Sequence, residues 1–200
     1  MTVILIGATG TIGAAVQDAL STNHEVIGVG RSSGDVHADL SDPAAIQALY
    51  DDVGDFDAVV CAAGNAAFNP LQDLSDDDFE LSLSSKLMGQ VNLVRHGLPH
   101  LSTAENPSVT LVSGVLSHEP MPGSAAISMV NGGVEGFARA AALDTDVRVN
   151  VVSPPWVSET LEAMGEDPSD GLPAATVAQA FVDSVEGDMT GTVIDARDYA

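Results

Sequence analysis

Residues 2–13 read TVILIGATGTIG. An unbroken apolar run, Val3-Ile4-Leu5-Ile6, gives way to Gly7-Ala8-Thr9-Gly10-Thr11-Ile12-Gly13. A continuous apolar run, rather than an alternating one, suits a strand buried on both faces. Beyond the turn, Ile12, Ala15, Val16, Ala19 and Leu20 recur at helical spacing and mark one inward stripe. Strand, glycine-rich turn and helix follow one another without a break. Glycines permit the tight turn and let backbone N–H groups approach a pyrophosphate, while the helix N-terminus favours its charge.

The same alternation runs through the chain. Val26–Val29, Ala58–Ala62, Val109–Val112, Val149–Val152 and Val193–Ile194 read as further strands, with Val36–Ala38 a weaker one. Between them lie helices with recognisable starts. Ser41-Asp42-Pro43 offers cap residues and a first-turn proline before inward Ile46, Leu49 and Val53. Ser75 and Asp78 form a capping-box pattern before Phe79 and Leu83, and Pro173 opens a helix carrying Val177, Phe181 and Val185. The fold expected is α/β: one Rossmann-like domain over residues 1–200, a doubly wound parallel sheet with helices on both faces.

Composition narrows the functions. The chain of 200 residues is 45% hydrophobic, enough for one sizeable core. No apolar run is long enough to span a membrane, no export signal is visible, and the single cysteine, Cys61, cannot pair internally. A reducing cytoplasm is the expected location. Asp and Glu number 29 against 6 Lys and Arg, a net charge of −23, which repels nucleic acid and anionic lipid. The acids are spread along the chain apart from short clusters such as Asp76-Asp77-Asp78, a pattern that resembles cytoplasmic proteins of salt-loving organisms.

At the end of the second strand stand Gly30-Arg31-Ser32-Ser33. A carboxylate there would bond the ribose 2′-hydroxyl of NAD, whereas Arg31 and Ser32 suit the 2′-phosphate of NADP. NADP is therefore expected over NAD.

These residues, with Ala38-Asp39-Leu40, Cys61-Ala62-Ala63-Gly64, Val109–Ser113 and Asn150-Val151-Val152-Ser153-Pro154, resemble the short-chain dehydrogenase/reductase superfamily over essentially the whole chain. The GxxGxxG spacing is similar to the extended or atypical branches rather than the classical TGxxxGxG. The resemblance implies seven parallel strands and a cofactor held by Gly7, Thr9, Gly10, Thr11, Ile12 and Gly13 at the pyrophosphate. It implies Arg31 and Ser32 at the 2′-phosphate, Asp39 with Leu40 at the adenine, Ala62, Ala63 and Gly64 at the adenine ribose, and Pro154 to Val157 at the nicotinamide. It also implies a homodimer or homotetramer built on the helices that follow the fourth and fifth strands.

The family's chemistry uses a Tyr as acid, a Lys one helical turn on, and an upstream Ser that polarises the substrate. In the frame set by Glu135-Gly136-Phe137 and Ser153-Pro154, Ile127 takes the Tyr position and Asn131 the Lys position. Gly114 takes the Ser position, with Ser113 just before it. Conversely Lys86, three residues before Gly89, stands where the family carries an Asn. It is the only lysine in the chain, and its spacing from Phe79 and Leu83 places it on the inward face. Lys86 is expected to bond the nicotinamide ribose and supply positive charge, Asn131 to hold water or the ribose, and Ser113 to orient a carbonyl. The other reading, in which Lys86 reaches out to a surface carboxylate, stays open. So does the proton donor: Tyr50 and Tyr199 sit at a helix end and the C-terminus, and His118 lies in a loop near the expected substrate mouth.

Two functions follow. One is an NADP-dependent oxidoreductase acting on a small carbonyl or alcohol. The other is a sensor that binds the cofactor without turnover. No site for a metal is expected.

Overall fold

Seven parallel strands form one sheet in the order β3-β2-β1-β4-β5-β6-β7. In chain order they are β1 (Thr2–Ile6), β2 (Glu25–Gly30), β3 (Val36–His37), β4 (Ala58–Cys61), β5 (Ser108–Val112), β6 (Arg148–Ser153) and β7 (Val193–Asp195). The computed structural model describes residues 1–101 and 105–200. Every strand expected from the sequence is present, including the short one at Val36.

Along β1, Val3 and Leu5 face one layer of helices while Ile4 and Ile6 face the other, so both sides of the strand are dry. One layer contains α1 (Thr11–Leu20) and α7 (Ala174–Glu186), which pack on each other. Val16, Leu20, Val177, Phe181 and Val185 of these helices are buried. The opposite layer holds α2 (Pro43–Val53), α4 (Gly89–Leu101) and α5 (Ala125–Ala141). Here Tyr50 is fully buried and donates its hydroxyl to the Leu93 carbonyl at 3.0 Å, with its ring stacked on Phe56.

The expected caps are formed. The Asp42 carboxylate accepts from Ala44 N–H at 2.9 Å. Ser75 and Asp78 bond reciprocally ahead of α3 (Asp76–Ser82). A short helix α6 (Ser158–Met164) lies between β6 and α7. Between α3 and α4 the chain passes through a π-helical turn, Leu83–Met88, which carries Lys86. The sheet order reverses between β1 and β4, and the crevice at the strand C-termini opens at that switch point.

Candidate active site

Three adjoining recesses cross this crevice. The first, about 350 Å³, lies between the glycine turn and the end of β2 and is lined by Thr9, Gly10, Arg31, Asp39 and Leu40. The second, about 380 Å³, shares Gly7, Gly10, Ala63 and Gly64 with the first and adds Ile12, Lys86, Ser113 and Pro154. The third, about 150 Å³, shares Ser113 and Pro154 with the second and runs inward between Ile127, Asn131 and Trp156. Together they make one trench from an arginine to an indole, with Ser113 at the inner junction.

At the outer end the backbone comes close. Gly7 has a φ of +85°, and a Cβ at Gly13 would collide with the Gly7 carbonyl, so α1 can sit directly against the turn only with glycine there. Gly13 is thus a packing residue behind the trench. Thr11 and Ser32 are exposed beside it, and Val157 is buried in the core while bridging to Leu172. The other residues expected at the cofactor line the trench itself. Asp39 is held below the usual carboxylate range, first by the Ser41 hydroxyl and then by the Ser41 N–H, both given to its Oδ1.

Lys86 is 7% exposed and projects into the middle recess. Its ammonium donates to the Ser113 carbonyl at 3.4 Å. Among the described residues no carboxylate comes within ion-pair distance of it. Burial pushes this ammonium down from its ordinary 10.5 to about 8, against a smaller opposing pull from Cys61. A Cβ at Gly64 would meet the lysine's Cδ at 2.8 Å, so that glycine opens the lane for the stem.

The route by which Lys86 turns inward differs from the expectation. Leu83, taken with Phe79 as the marker of the inward face, is 40% exposed. Lys86 instead shares its buried face with Ser82, Ser85 and Gln90. The π-turn shifts the helical phase at this point, so an i, i+3 count does not carry through it. Ser82 and Ser85 accept from the N–H groups of Ala67 and Asn65 and tie down the loop after β4. Gln90 donates to the Lys86 and Val112 carbonyls and accepts from Val112 N–H at 2.8 Å, locking the turn onto β5.

In the inner recess, Asn131 is 1% exposed. Its Nδ2 donates to the Gly114 carbonyl at 3.4 Å, and its Oδ1 is buried with no hydrogen-bond partner among the described residues. A Cβ at Gly114 would stand 3.1 Å from that Nδ2, so the amide occupies room that a serine there would need. Trp156 forms the wall, its ring edge-on to Phe68. The tyrosines lie elsewhere: Tyr50 is in the core, and Tyr199 donates to Asp183 at 2.8 Å. Burial first, then that bond, raises Tyr199 to about 12.

Glu135, in the sequence only a marker of the α5 frame, joins the site in the structure. It is 6% exposed, and its Oε1 accepts from the Ser113 hydroxyl at 2.9 Å and the Ser117 hydroxyl at 2.7 Å. The available signal was a lone acid among the small residues of α5.

This geometry fits a dinucleotide. Glycine backbone faces the outer trench, an unpaired ammonium stands in the middle, and an amide oxygen waits for a donor within. A family model described as enoyl-(acyl carrier protein) reductase matches residues 7–189. The chain belongs to the short-chain dehydrogenase/reductase superfamily. The structure is similar to that of the protein lin1944 from Listeria innocua, with a TM-score of 0.92 and 39% identity over 98% of each chain. It is also similar to a small-chain dehydrogenase solved in complex with NADPH, with a TM-score of 0.85 and 25% identity over 98% of this chain and 95% of that one. Short-chain dehydrogenase/reductase iacG of Pestalotiopsis fici is 30% identical over 177 residues, 74% of this chain and 70% of the relative. The chain spans about half the length of several other curated relatives that it matches.

Proposed function

We propose that this short-chain oxidoreductase binds NADP and interconverts a small carbonyl and its alcohol, with its charged groups rearranged around Lys86. The observation that carries this reading is the continuous trench, with Arg31 at one end, an unpaired buried ammonium in the middle and Ser113 at the entrance to the inner chamber. NADP, when bound, supplies or accepts the hydride. Arg31 meets the 2′-phosphate, the glycine turn holds the pyrophosphate, and Lys86 offsets phosphate charge and orients the nicotinamide ribose. Asn131 Oδ1 accepts from a ribose or substrate hydroxyl. Pro154, Pro155 and Trp156 exclude water from the chamber, whose apolar walls favour a small uncharged substrate. The similarity to an NADPH complex supports the choice of cofactor.

Apolar side chains left exposed on α3, the π-turn and α5, namely Leu81, Leu83, Met88 and Met129, support a homodimer or homotetramer. The acidic composition supports a salt-rich cytoplasm, and no described helix is long and apolar enough to cross a membrane.

The replacement of the family's Tyr and Lys by Ile127 and Asn131 favours a second reading, a protein that binds NADP without turnover. Titration of NADPH and NADH in molar KCl, followed by a carbonyl screen for NADPH oxidation, separates the two. Tight NADPH binding, weakened at least tenfold by Arg31→Ala, with turnover of some carbonyl is the expected result. Binding with no turnover across a broad panel selects the second reading, and preference for NADH removes the assignment of the cofactor.

A further inference from the structure

The trench holds no tyrosine, and the proton that an alcohol must lose has no obvious acceptor within it. Ser113 faces both inner recesses, yet its hydroxyl points back to Glu135 at 2.9 Å. That same carboxylate oxygen is 2.7 Å from Ser117 Oγ, and Ser117 Oγ is 2.9 Å from Nδ1 of the exposed His118. Hydroxyl, carboxylate, hydroxyl and imidazole thus form an unbroken file from the substrate chamber to solvent. We infer that Glu135 is the proton reservoir of the site, acting through Ser113 and exchanging with solvent through Ser117 and His118. This inference rests on the oxidoreductase reading above.

In alcohol oxidation the substrate O–H bond breaks and its proton passes to Ser113 Oγ. The proton that Ser113 already carries moves to Glu135 Oε1. The carbinol C–H bond would break with both electrons, which NADP, when bound, would accept as hydride, and the substrate would become a carbonyl. Glu135 then passes its proton to Ser117, whose own proton goes to His118 and on to water. Reduction runs the file in reverse. Ser113 stays neutral at both ends of the step, so a hydroxyl with a high intrinsic pKa can serve.

Few charges surround the carboxylate. Arg139 lies one helical turn on, with Nη2 3.7 Å from Glu135 Oε2, the oxygen outside the file. Lys86, on the π-turn, touches the carbonyl of Ser113 rather than Glu135. Around the exit, Arg197 pairs with Glu119, next to His118, and with Asp195. Glu135 lines none of the recesses, so it is a positioning and proton-holding residue, and Ser113 is the one that meets substrate.

The test compares wild type with E135Q, E135D, S113A and the double variant S113A/E135Q in molar KCl. Melting temperature and NADPH affinity, followed by fluorescence, control for folding and cofactor binding. E135Q is expected to keep NADPH affinity within about twofold while kcat for carbonyl reduction falls at least about 100-fold, the scale of a lost acid–base group. Its kcat–pH profile should lose a limb that wild type shows, and E135D should recover part of both. In the infrared, the cofactor-free wild type should show a carboxylate band that E135Q lacks and that S113A shifts, which reads the Ser113–Glu135 contact without turnover. S113A should match E135Q, and the double variant should be no worse than either single, because both remove one file. If E135Q does not fold, E135D and S113A carry the comparison. Wild-type turnover with unaltered kcat and pH profile in folded E135Q or S113A overturns the relay alone, as do additive losses. NADPH binding without wild-type turnover overturns the oxidoreductase reading and the relay together.

Discussion

Lys86 shows how much one buried charge does. Burial holds its ammonium at about 8 instead of 10.5. Below about pH 8 the residue is charged in both folded and unfolded chains, and the folded protein bears the desolvation cost. As pH rises through 8 the folded state gives up its proton while the unfolded chain keeps it to about 10.5, so this unfavourable contribution shrinks. Cofactor binding has the opposite sign, because phosphate stabilises the charged form. NADPH affinity is therefore expected to hold steady near neutrality and to weaken from about pH 8 upward, with proton uptake on binding. In Lys86→Ala it should be at least tenfold weaker at neutral pH and lose that dependence. Fluorescence titration across pH checks both, and equal affinity in the variant removes Lys86 from the cofactor site. Its uniqueness was legible in the sequence. Its lack of a carboxylate partner was not, since that depends on which acids the fold brings near.

At the scale of elements, the π-turn between α3 and α4 is what turns a lysine, rather than a leucine, into the trench. It is held by Gln90, which is fully buried and bonds Lys86 and both backbone groups of Val112. Gln90→Leu should leave these groups without partners and destabilise the protein by at least about 2 kcal/mol. A denaturant midpoint unchanged in the variant would show that the turn is held elsewhere. The strands, caps and remaining helices were legible because each is written in a local pattern: apolar runs, a box of Ser75 with Asp78, Pro43 in a first turn. The π-turn was not, because its inserted residue is stabilised from outside, by Gln90 reaching β5 and by Ser82 and Ser85 reaching the loop after β4. The place of Glu135 was not legible either, for a related reason. Its partners Ser113 and Ser117 lie 22 and 18 positions away, across the join of α5 with the end of β5.

The whole molecule carries a net charge of −23 around a crevice that, in the function proposed above, admits an anion. Molar salt shortens the screening length to about 3 Å and removes most of the repulsion among the surface acids and between them and the cofactor phosphates. Both melting temperature and NADPH affinity are accordingly expected to rise between about 0.1 M and molar KCl. Lys86 and Arg31 alone would give the usual weakening with salt. Calorimetric melting and NADPH titration over that range decide the sign, and affinity that falls steadily with KCl would mean that the local cations outweigh the global field.

The sequence by itself determined the βα alternation and the place of the glycine turn at the head of the crevice, because these depend on residues adjacent in the chain and on the two periods of helix and strand. Tertiary structure alone decided which side chains meet in and behind the trench. A buried ammonium with no carboxylate partner, an amide oxygen without a donor and a carboxylate behind a serine are relations between distant segments, set by how α5 and the π-turn pack over the ends of β4 and β5.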